Sequence, residues 1–176
     1  AMGVGTTAGG EASTAMGSGT TAAGISSTAM GIGTIASGDY STAMGNGSVA
    51  GAENSLAALG GVVDDAAANS AAMGQGAKAA VADAVALGSK SVADRTAGVV
   101  GYDAKSADHT ADTTGTWKST QNAIAVGDAA NNITRQITGV AAGSAGTDAV
   151  NVAQLKAVND KLGTTINDAA KWTIKD

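Results

Sequence analysis

A short repeat dominates the first half of this chain and limits what it can fold into. The tripeptide Ala-Met-Gly recurs with its methionine at positions 2, 16, 30 and 44, a constant spacing of 14 residues. Leu59, Met73, Leu87, Val100 and Val126 continue the series at spacings of 15, 14, 14, 13 and 26. Fourteen residues are too few for a helix–turn–helix unit but enough for two short strands and two turns. The repeat therefore predicts one coil of a parallel β-solenoid per unit.

Alternation along the repeat predicts which side chains point into each coil. Thr14 and Met16 fall on one face of a strand, with Ala15 on the other. A second strand follows, with small residues such as Thr20 and Ala22 on its inner face. The Gly-x-Gly after each methionine predicts a turn with positive φ.

Such small side chains make one coil a poor core on its own. The chain contains 26 Gly and no Phe, Pro or Cys. At about 1.5 kcal/mol per ordered residue, one coil costs on the order of 20 kcal/mol, which burial of one Met, one Thr and a few Ala does not offset. We therefore expect hydrogen bonds between coils, and burial of the face with Met16, Met30 and Met44 against other copies of the chain.

Charge and composition disfavour several kinds of partner. The net charge of −5 at pH 7 disfavours nucleic acid, which requires clustered Lys and Arg, and also anionic lipid. No apolar run approaches the roughly 20 residues of a membrane-spanning helix. The absence of Cys excludes disulfides and thiol chemistry. The chain begins within a repeat, so we expect a fragment of a longer protein.

The repeat is interrupted between Val100 and Val126. A spacing of 26 equals one coil plus about 12 residues, which predicts an insertion at roughly residues 102–120 that loops out from one edge. Its unusual residues are Tyr102, the single histidine His109, and Trp117. Two interpretations stay open, a packed flap that covers the last coil or bridges subunits, and a ligand-contact surface.

The last third of the chain has a different pattern. Residues 133–140 alternate apolar and polar, and Thr147-Asp148 predicts a helix start, with the acid near the positive end of the helix dipole. The spacings that follow alternate between 3 and 4, which is typical of a coiled-coil seam. The seam residues are Val152, Leu155, Asn159, Leu162 and Ile166.

Two features of this region have more than one interpretation. An alternative seam centred on Val158 leaves Asn159 outside the coiled-coil core. Trp172-Thr173-Ile174 returns to a strand-like pattern, which predicts that residues 172–176 begin another module or form a tail.

No residue constellation in the sequence points to catalysis. Gly-x-Gly segments recur in each coil and are not followed by the Lys-Ser/Thr of a phosphate loop, so they read as turns. His109 is the only histidine and cannot form a multi-histidine metal site within one chain. Asp64-Asp65 falls in an irregular coil and reads as a solvated turn. We expect no enzyme activity, cofactor or metal.

Taken together, these segments resemble the YadA-like head and neck of trimeric autotransporter adhesins. The resemblance rests on the Ser-Thr-Ala-Met-Gly-x-Gly repeats, on residues 99–127, which are similar to a head insert, and on the neck-like residues 137–143 and 147–156. It implies an all-β head, a left-handed parallel β-roll packed as a homotrimer. The expected parts are the head at 1–132, the neck at 133–151 and the start of a coiled-coil stalk at 152–171.

The same resemblance implies an adhesive role at the outer membrane of a Gram-negative bacterium. Members of the family bind host extracellular matrix, host cells, or each other in autoaggregation and biofilms. Candidate contact residues lie between the repeat anchors or in the insertion: Glu11, Asp39, Tyr40, Glu53, Tyr102, His109 and Trp117. Two alternatives are an ice-binding solenoid that uses the row Thr14, Thr28 and Thr42, and a trimeric phage-type fibre.

Overall fold

Successive repeats pair with one another in register, and every pairing between strands is parallel. A computed structural model describes residues 1–105 and 108–172, with side chains through residue 168. Residues Ala1–Arg135 form one compact unit and Gln136–Asp176 a second. The first unit contains two seven-stranded sheets. Met16 pairs with Met30, and Met30 with Met44, so the expected solenoid of about 14-residue coils is confirmed.

Each coil contributes one strand to each sheet. Sheet A contains the strands that begin at the anchor repeats: β2 (Thr14–Ser18), β4 (Thr28–Ile32), β6 (Thr42–Asn46), β8 (Leu56–Ala58), β10 (Ala71–Met73), β12 (Val85–Leu87) and β14 (Ile124–Ala125). Sheet B contains the two-residue strands: β1 (Thr7–Ala8), β3 (Thr21–Ala22), β5 (Ile35–Ala36), β7 (Val49–Ala50), β9 (Val62–Val63), β11 (Lys78–Ala79) and β13 (Val92–Ala93).

The strand residues that face the space between the two sheets are almost all alanine. Ala15 is buried while Thr14 and Met16 on either side of it are exposed, as the alternation predicted. The fully buried strand residues facing the interior are Ala15, Ala29, Ala43, Ala57, Ala72 and Ala86 from sheet A, and Ala22, Ala36, Ala50, Val63, Ala79 and Ala93 from sheet B. Alanine loses no side-chain entropy on burial, and its small size lets the sheets approach closely.

Two kinds of corner close each coil. At the first, Gly17 has a φ of 129° and Gly19 a φ of 63°, so the expected Gly-x-Gly turn is confirmed. At the second, one residue per coil adopts the left-handed conformation, and these residues stack in a row: Ala12, Ser26, Tyr40, Asn54, Asn69 and Asp83. The serine that follows in the early coils satisfies its hydroxyl locally, since Ser27 Oγ donates to the Gly24 carbonyl at 2.7 Å.

Leu59 is not the anchor of its repeat, contrary to the sequence prediction. The residue that pairs with Met44 is Ala58, and Leu59 lies in the turn with a φ of 56° and 70% exposure. Strand β9 then follows one residue early, since Val49 pairs with Val62, and the added length falls in the loop before β10. A count of 15 residues between anchors does not reveal where in the coil the extra residue lies.

Val100 is also not an anchor. It forms an isolated antiparallel bridge with Lys118, outside the parallel ladder. Strand β12 pairs directly with β14, with Val85 opposite Ile124. The chain therefore leaves the ladder after β13 and returns at Ile124, and the departure is wider than the 102–120 range expected from the spacing.

The side chain of Arg135 caps the last coil of the roll. The Arg135 guanidinium donates to the Ser91 hydroxyl at 3.1 Å, and also to the carbonyls of Ser89 and Val126. A short 3₁₀ turn, Ala129–Asn131, precedes it. Arg135 thus satisfies polar groups of two neighbouring coils where the ladder stops.

The second unit contains one helix, α1 (Val152–Trp172), and the loop that precedes it. The helix starts later than the predicted Thr147-Asp148. Asn151 caps it through a reciprocal pair, in which Asn151 Oδ1 accepts from the Gln154 amide at 3.1 Å and Gln154 Oε1 accepts from the Asn151 amide at 3.3 Å. Asp148 instead closes the preceding turn, because its Oδ2 accepts from the Ser144 and Ala145 amides.

The strand-like pattern expected from Trp172 is wrong for that residue, which is the last of α1. Thr173-Ile174 lie outside the described residues. The amphipathic spacing of the 21-residue helix continues the helix to Trp172.

Close stacking of coils makes the interior corner glycines intolerant of a side chain. A Cβ on Gly38 would lie 2.0 Å from the Ala52 carbonyl oxygen, whereas one on Gly9 meets nothing nearer than 3.9 Å. We predict that Gly38→Ala lowers the free energy of unfolding by about 3 kcal/mol, the upper end of ordinary overpacking effects, while Gly9→Ala leaves it nearly unchanged. Circular dichroism during thermal unfolding measures both, and equal melting temperatures for the two variants would contradict the stacking.

Candidate functional site

The outer face of sheet A is a continuous uncharged surface. Met16, Met30 and Met44 project from it in adjacent strands, with 36%, 38% and 41% of their surface exposed. The later strands continue this face with mainly apolar side chains: Leu56, Ala58, Ala71, Met73, Val85, Leu87 and Ile124. Among the described strand residues of sheet A, none is charged. A face of this kind is typical of a protein–protein contact.

The four head residues predicted as ligand contacts lie together on the second corner of the roll. Glu11, Asp39 and Glu53 occupy equivalent positions in their coils, each directly before a residue of the left-handed row. Asp39 is partly tied down, because its Oδ1 accepts from the Ile25 amide of the preceding coil at 2.8 Å. Tyr40 is in the row itself and is 57% exposed. We call this edge of the roll the corner ridge.

The corner ridge continues beyond the residues that sequence reasoning selected. Asn69 Nδ2 donates to Asp83 Oδ1 at 3.1 Å, and Asn54 Nδ2 lies 3.5 Å from Asn69 Oδ1. These amide contacts join three coils along the outside of the roll. Asn and Asp tolerate a left-handed backbone, so the sequence could have indicated that Asn54, Asn69 and Asp83 belong to the corner ridge. The irregular spacing of the fifth coil obscured their equivalent positions.

The insertion leaves the roll on a short antiparallel stem. The Ala123 amide donates to the Arg95 carbonyl at 3.0 Å, and the Gly98 amide to the Ser119 carbonyl at 2.9 Å. Asn122 fixes the stem to the roll, because its Nδ2 donates to the Ala82 carbonyl at 2.6 Å. We call residues 95–123, without the undescribed 106 and 107, the insert.

The insert holds two of its three predicted contact residues side by side. The rings of His109 and Trp117 stack with centroids 4.4 Å apart and planes within 14°. His109 Nε2 lies 3.0 Å from Asp103 Oδ2, and its Nδ1 lies 3.9 Å from Asp112 Oδ2. The third predicted residue, Tyr102, is 89% exposed and is not part of this stack.

Two carboxylates of the insert are held in their charged form by local hydrogen bonds. The Thr114 hydroxyl and amide donate to Asp112 and lower its pKa, and the Thr110 amide similarly lowers the pKa of Asp108. Each bond closes a tight turn, with Asp112 Oδ1 2.7 Å from the Thr114 amide nitrogen. These carboxylates serve the conformation of the loop.

The base of the insert contains a groove of about 440 Å³. Arg95, Trp117 and Lys118 line it, together with hydroxyl and amide side chains and the apolar Val99 and Val100. A second groove of about 510 Å³ lies at the end of the roll, where Arg135 and Asp128 are among the lining residues.

Within residues 1–105 and 108–172, the structure contains no cluster of three or more His, Cys, Asp or Glu arranged to hold a metal ion. Over the same residues, no helix is both long and apolar enough to cross a membrane.

Comparison with known proteins identifies the family. The model of the YadA head domain repeat matches residues 1–20, 8–34, 22–48, 36–58 and 66–91, and that of the coiled stalk of trimeric autotransporter adhesins matches residues 136–176. The two models together cover most of the chain, which therefore belongs to the trimeric autotransporter adhesins. Adhesins of this family are not enzymes.

Individual relatives agree with this assignment. The chain is 44% identical over 81 residues to the autotransporter adhesin BadA of Bartonella henselae, and 56% identical over 71 residues to the trimeric autotransporter adhesin AtaA of Acinetobacter sp. strain Tol 5. These matches cover 46% and 39% of this chain, and it spans only 2% of either relative.

Two solved structures share the fold. The collagen-binding domain of the Yersinia adhesin YadA matches with a TM-score of 0.50 and 25% identity, over 82% of this chain and 73% of that one. The C-terminal YadA-like domain of a Burkholderia pseudomallei protein matches with a TM-score of 0.50 and 28% identity, over 65% of this chain and 49% of that one.

The lowered pKa values predict that acid loosens the insert. A carboxylate whose pKa is lower in the folded chain stabilises the fold above its unfolded pKa, and this contribution is lost as pH falls through the folded value. On acidification from about pH 7 to about pH 2, the protection factors of the Thr110 and Thr114 amides, which correct for the intrinsic pH dependence of exchange, should fall, because protonated Asp108 and Asp112 are poorer acceptors. Hydrogen exchange measured by NMR tests this, with the ladder amide of Thr28 as the internal control. Unchanged relative protection at both pH values would contradict it.

Proposed function

We propose that this chain forms the head and upper stalk of a homotrimeric adhesin, displayed on the outer membrane of a Gram-negative bacterium. The observation that supports the trimer most directly is the uncharged outer face of sheet A, with Met16, Met30 and Met44 in one row. Packing three such faces together would bury the large apolar side chains that the alanine interior has no room for. Burial of each methionine contributes roughly 1.5–3 kcal/mol, and three copies multiply that gain.

The helix supports the same assembly. Its apolar side chains are about as exposed as on an isolated helix, from 56% for Leu162 to 67% for Val152. Leu155 and Ile166 are 65% and 58% exposed, and together with Asn159 these residues form the proposed seam. Val158 is also exposed, at 64%, so exposure does not exclude the alternative seam centred on Val158. Either seam would be covered in a three-stranded coiled coil.

The proposed trimer also bears on whether the row of threonines could bind ice. Thr14, Thr28 and Thr42 lie on the same outer face as the methionines. In the proposed trimer this face is covered, so the row would not be available to bind ice. The corner ridge and the insert would then be the surfaces left for a ligand.

The proposed trimer predicts the mass of the fragment in solution, and predicts that a charge on the methionine face weakens the assembly. The purified fragment should have a mass in solution three times the 16.6 kDa of one chain, measured by light scattering. Met30→Asp should raise the dissociation constant of the trimer at least about 100-fold, because an unpaired buried charge costs several kcal/mol. Ser26→Asp adds the same charge at an exposed corner and should leave the mass unchanged. A monomeric wild-type fragment, or a Met30→Asp variant that keeps the trimer mass, would contradict the assembly.

We propose that the corner ridge contacts host extracellular matrix or cell-surface protein. The ridge presents carboxylates and the exposed Tyr40 at a regular coil spacing, and one of the structural relatives is a collagen-binding domain. Three copies in one head raise the avidity of a weak contact. Contact between adhesin molecules, leading to autoaggregation or biofilm, would use the same exposed edge.

The two tyrosines of the chain provide a matched test of attachment. Trimeric fragment should be retained on collagen films or cultured host cells more strongly than on albumin. Tyr40→Ser should weaken retention about fivefold, the effect of losing one important aromatic contact, whereas Tyr102→Ser in the insert should weaken it less. Retention on collagen or cells no greater than on albumin would contradict the adhesive role. Equal retention of the Tyr40→Ser and Tyr102→Ser variants would show that the corner ridge is not the contact surface.

A further inference from the structure

We propose that the groove at the base of the insert binds a pyranose sugar bearing a carboxylate or sulfate group. This names a ligand class for the adhesive role proposed above and rests on it. The groove, about 440 Å³, is within the size range of small-molecule sites. Three properties of its lining point to such a ligand: an aromatic wall, positive charge, and side chains that hydrogen-bond to hydroxyl groups.

The aromatic wall is the indole ring of Trp117. His109 covers one side of this ring, and His109 is itself held 3.0 Å from Asp103. The side chains of His109 and Asp103 are only 18% and 13% exposed, while Trp117 retains 36% exposure. Trp117 lines the groove and His109 does not, and in the proposed complex the uncovered part of the indole lies against the sugar. The C–H groups of a pyranose ring pack on such a face.

The charge of the lining is opposite to that of the chain. The whole chain has 15 acidic and 10 basic residues, yet among the described residues the groove is lined by Arg95 and Lys118 and by no carboxylate. Asp108 and Asp112 of the insert are bonded to their own turns. Because Lys118 Nζ donates to the Thr110 carbonyl at 2.8 Å, Arg95 is the main cation for a carboxylate or sulfate in the groove and can bind it in a bidentate manner.

Hydroxyl and amide groups complete the lining. Thr116, Ser119 and Gln121 border the groove and supply donors and acceptors for sugar hydroxyls. The groove is open to solvent along its length, so one site should bind weakly, and useful retention would come from three sites in one head.

The test measures sugar binding to the intact fragment by saturation-transfer NMR and titration. Sialyllactose and a chondroitin sulfate disaccharide are the carboxylated and sulfated probes, and lactose is the neutral one. Both anionic probes should bind at least about tenfold more tightly than lactose, as expected for one hydrogen bond to a charged group. Preference for only one of them would narrow the ligand to a carboxylated or a sulfated sugar.

Matched variants locate the site. Arg95→Gln should weaken binding of the anionic probes about tenfold, whereas Lys90→Gln, which removes an exposed cation of the roll, should not weaken it. Trp117→Phe should weaken binding of all the sugars, whereas Trp172→Phe should not. Trp117→Phe keeps an aromatic ring on His109, so the loss of binding is separated from unfolding of the insert.

Several results would overturn the proposal. These are equal binding of lactose and the anionic probes, equal effects of Arg95→Gln and Lys90→Gln, or no binding of any probe. In a Trp172→Phe background, failure of acrylamide to quench Trp117 would mean that another copy of the chain fills the groove, which also overturns it. If sugar binding fails while the trimer mass and the retention on collagen or host cells persist, the sugar site is wrong and the adhesin stands.

Discussion

Hydrogen bonds between one coil and the next hold the head together. The backbone amides of Thr14, Thr28 and Thr42 each donate to a serine carbonyl of the following coil at 2.8–2.9 Å, and the pattern recurs in both sheets. The interior contributes little large apolar area, because its buried apolar residues are alanines with the single larger residue Val63, and the other fully buried side chains are small Ser and Thr such as Thr20 and Thr34. Parallel pairing in register therefore has to be maintained along the whole array, and a polar group such as Arg135 is needed where it stops.

The small interior of the coils also explains why apolar and acidic side chains lie on different parts of the surface. Because the strand residues that face the interior are alanine in nearly every coil, most of the larger apolar side chains of the repeat face outwards. On sheet A the outward residues form an uncharged face suited to other copies of the chain, while acids gather on the corner ridge, where left-handed residues such as Tyr40 and Asn54 stack. The insert adds the only aromatic stack of the described chain, His109 on Trp117. The proposed assembly and the proposed ligand contacts therefore use different surfaces of the chain.

Sequence periodicity predicted the coils, the inward alanines and the Gly-x-Gly corners, because each follows from local alternation and glycine conformation. It misplaced Leu59 and Val100, because spacing counts residues and does not show where a loop absorbs an extra one. The helix start was misplaced because Asp148 and Asn151 are both good capping residues, and only the reciprocal bond with Gln154 distinguishes them. The stack of His109 on Trp117 joins residues eight positions apart in an irregular loop, for which no periodic signal exists.

The central claim is that coils this poor in large side chains require both the ladder and a covered methionine face. Peroxide oxidation of the intact fragment, followed site by site with mass spectrometry, tests it directly. The account predicts that Met16, Met30 and Met44 oxidise together and much more slowly than the same residues in the fragment unfolded by urea. Oxidation of these three residues at the unfolded rate, or at three unrelated rates, would contradict it.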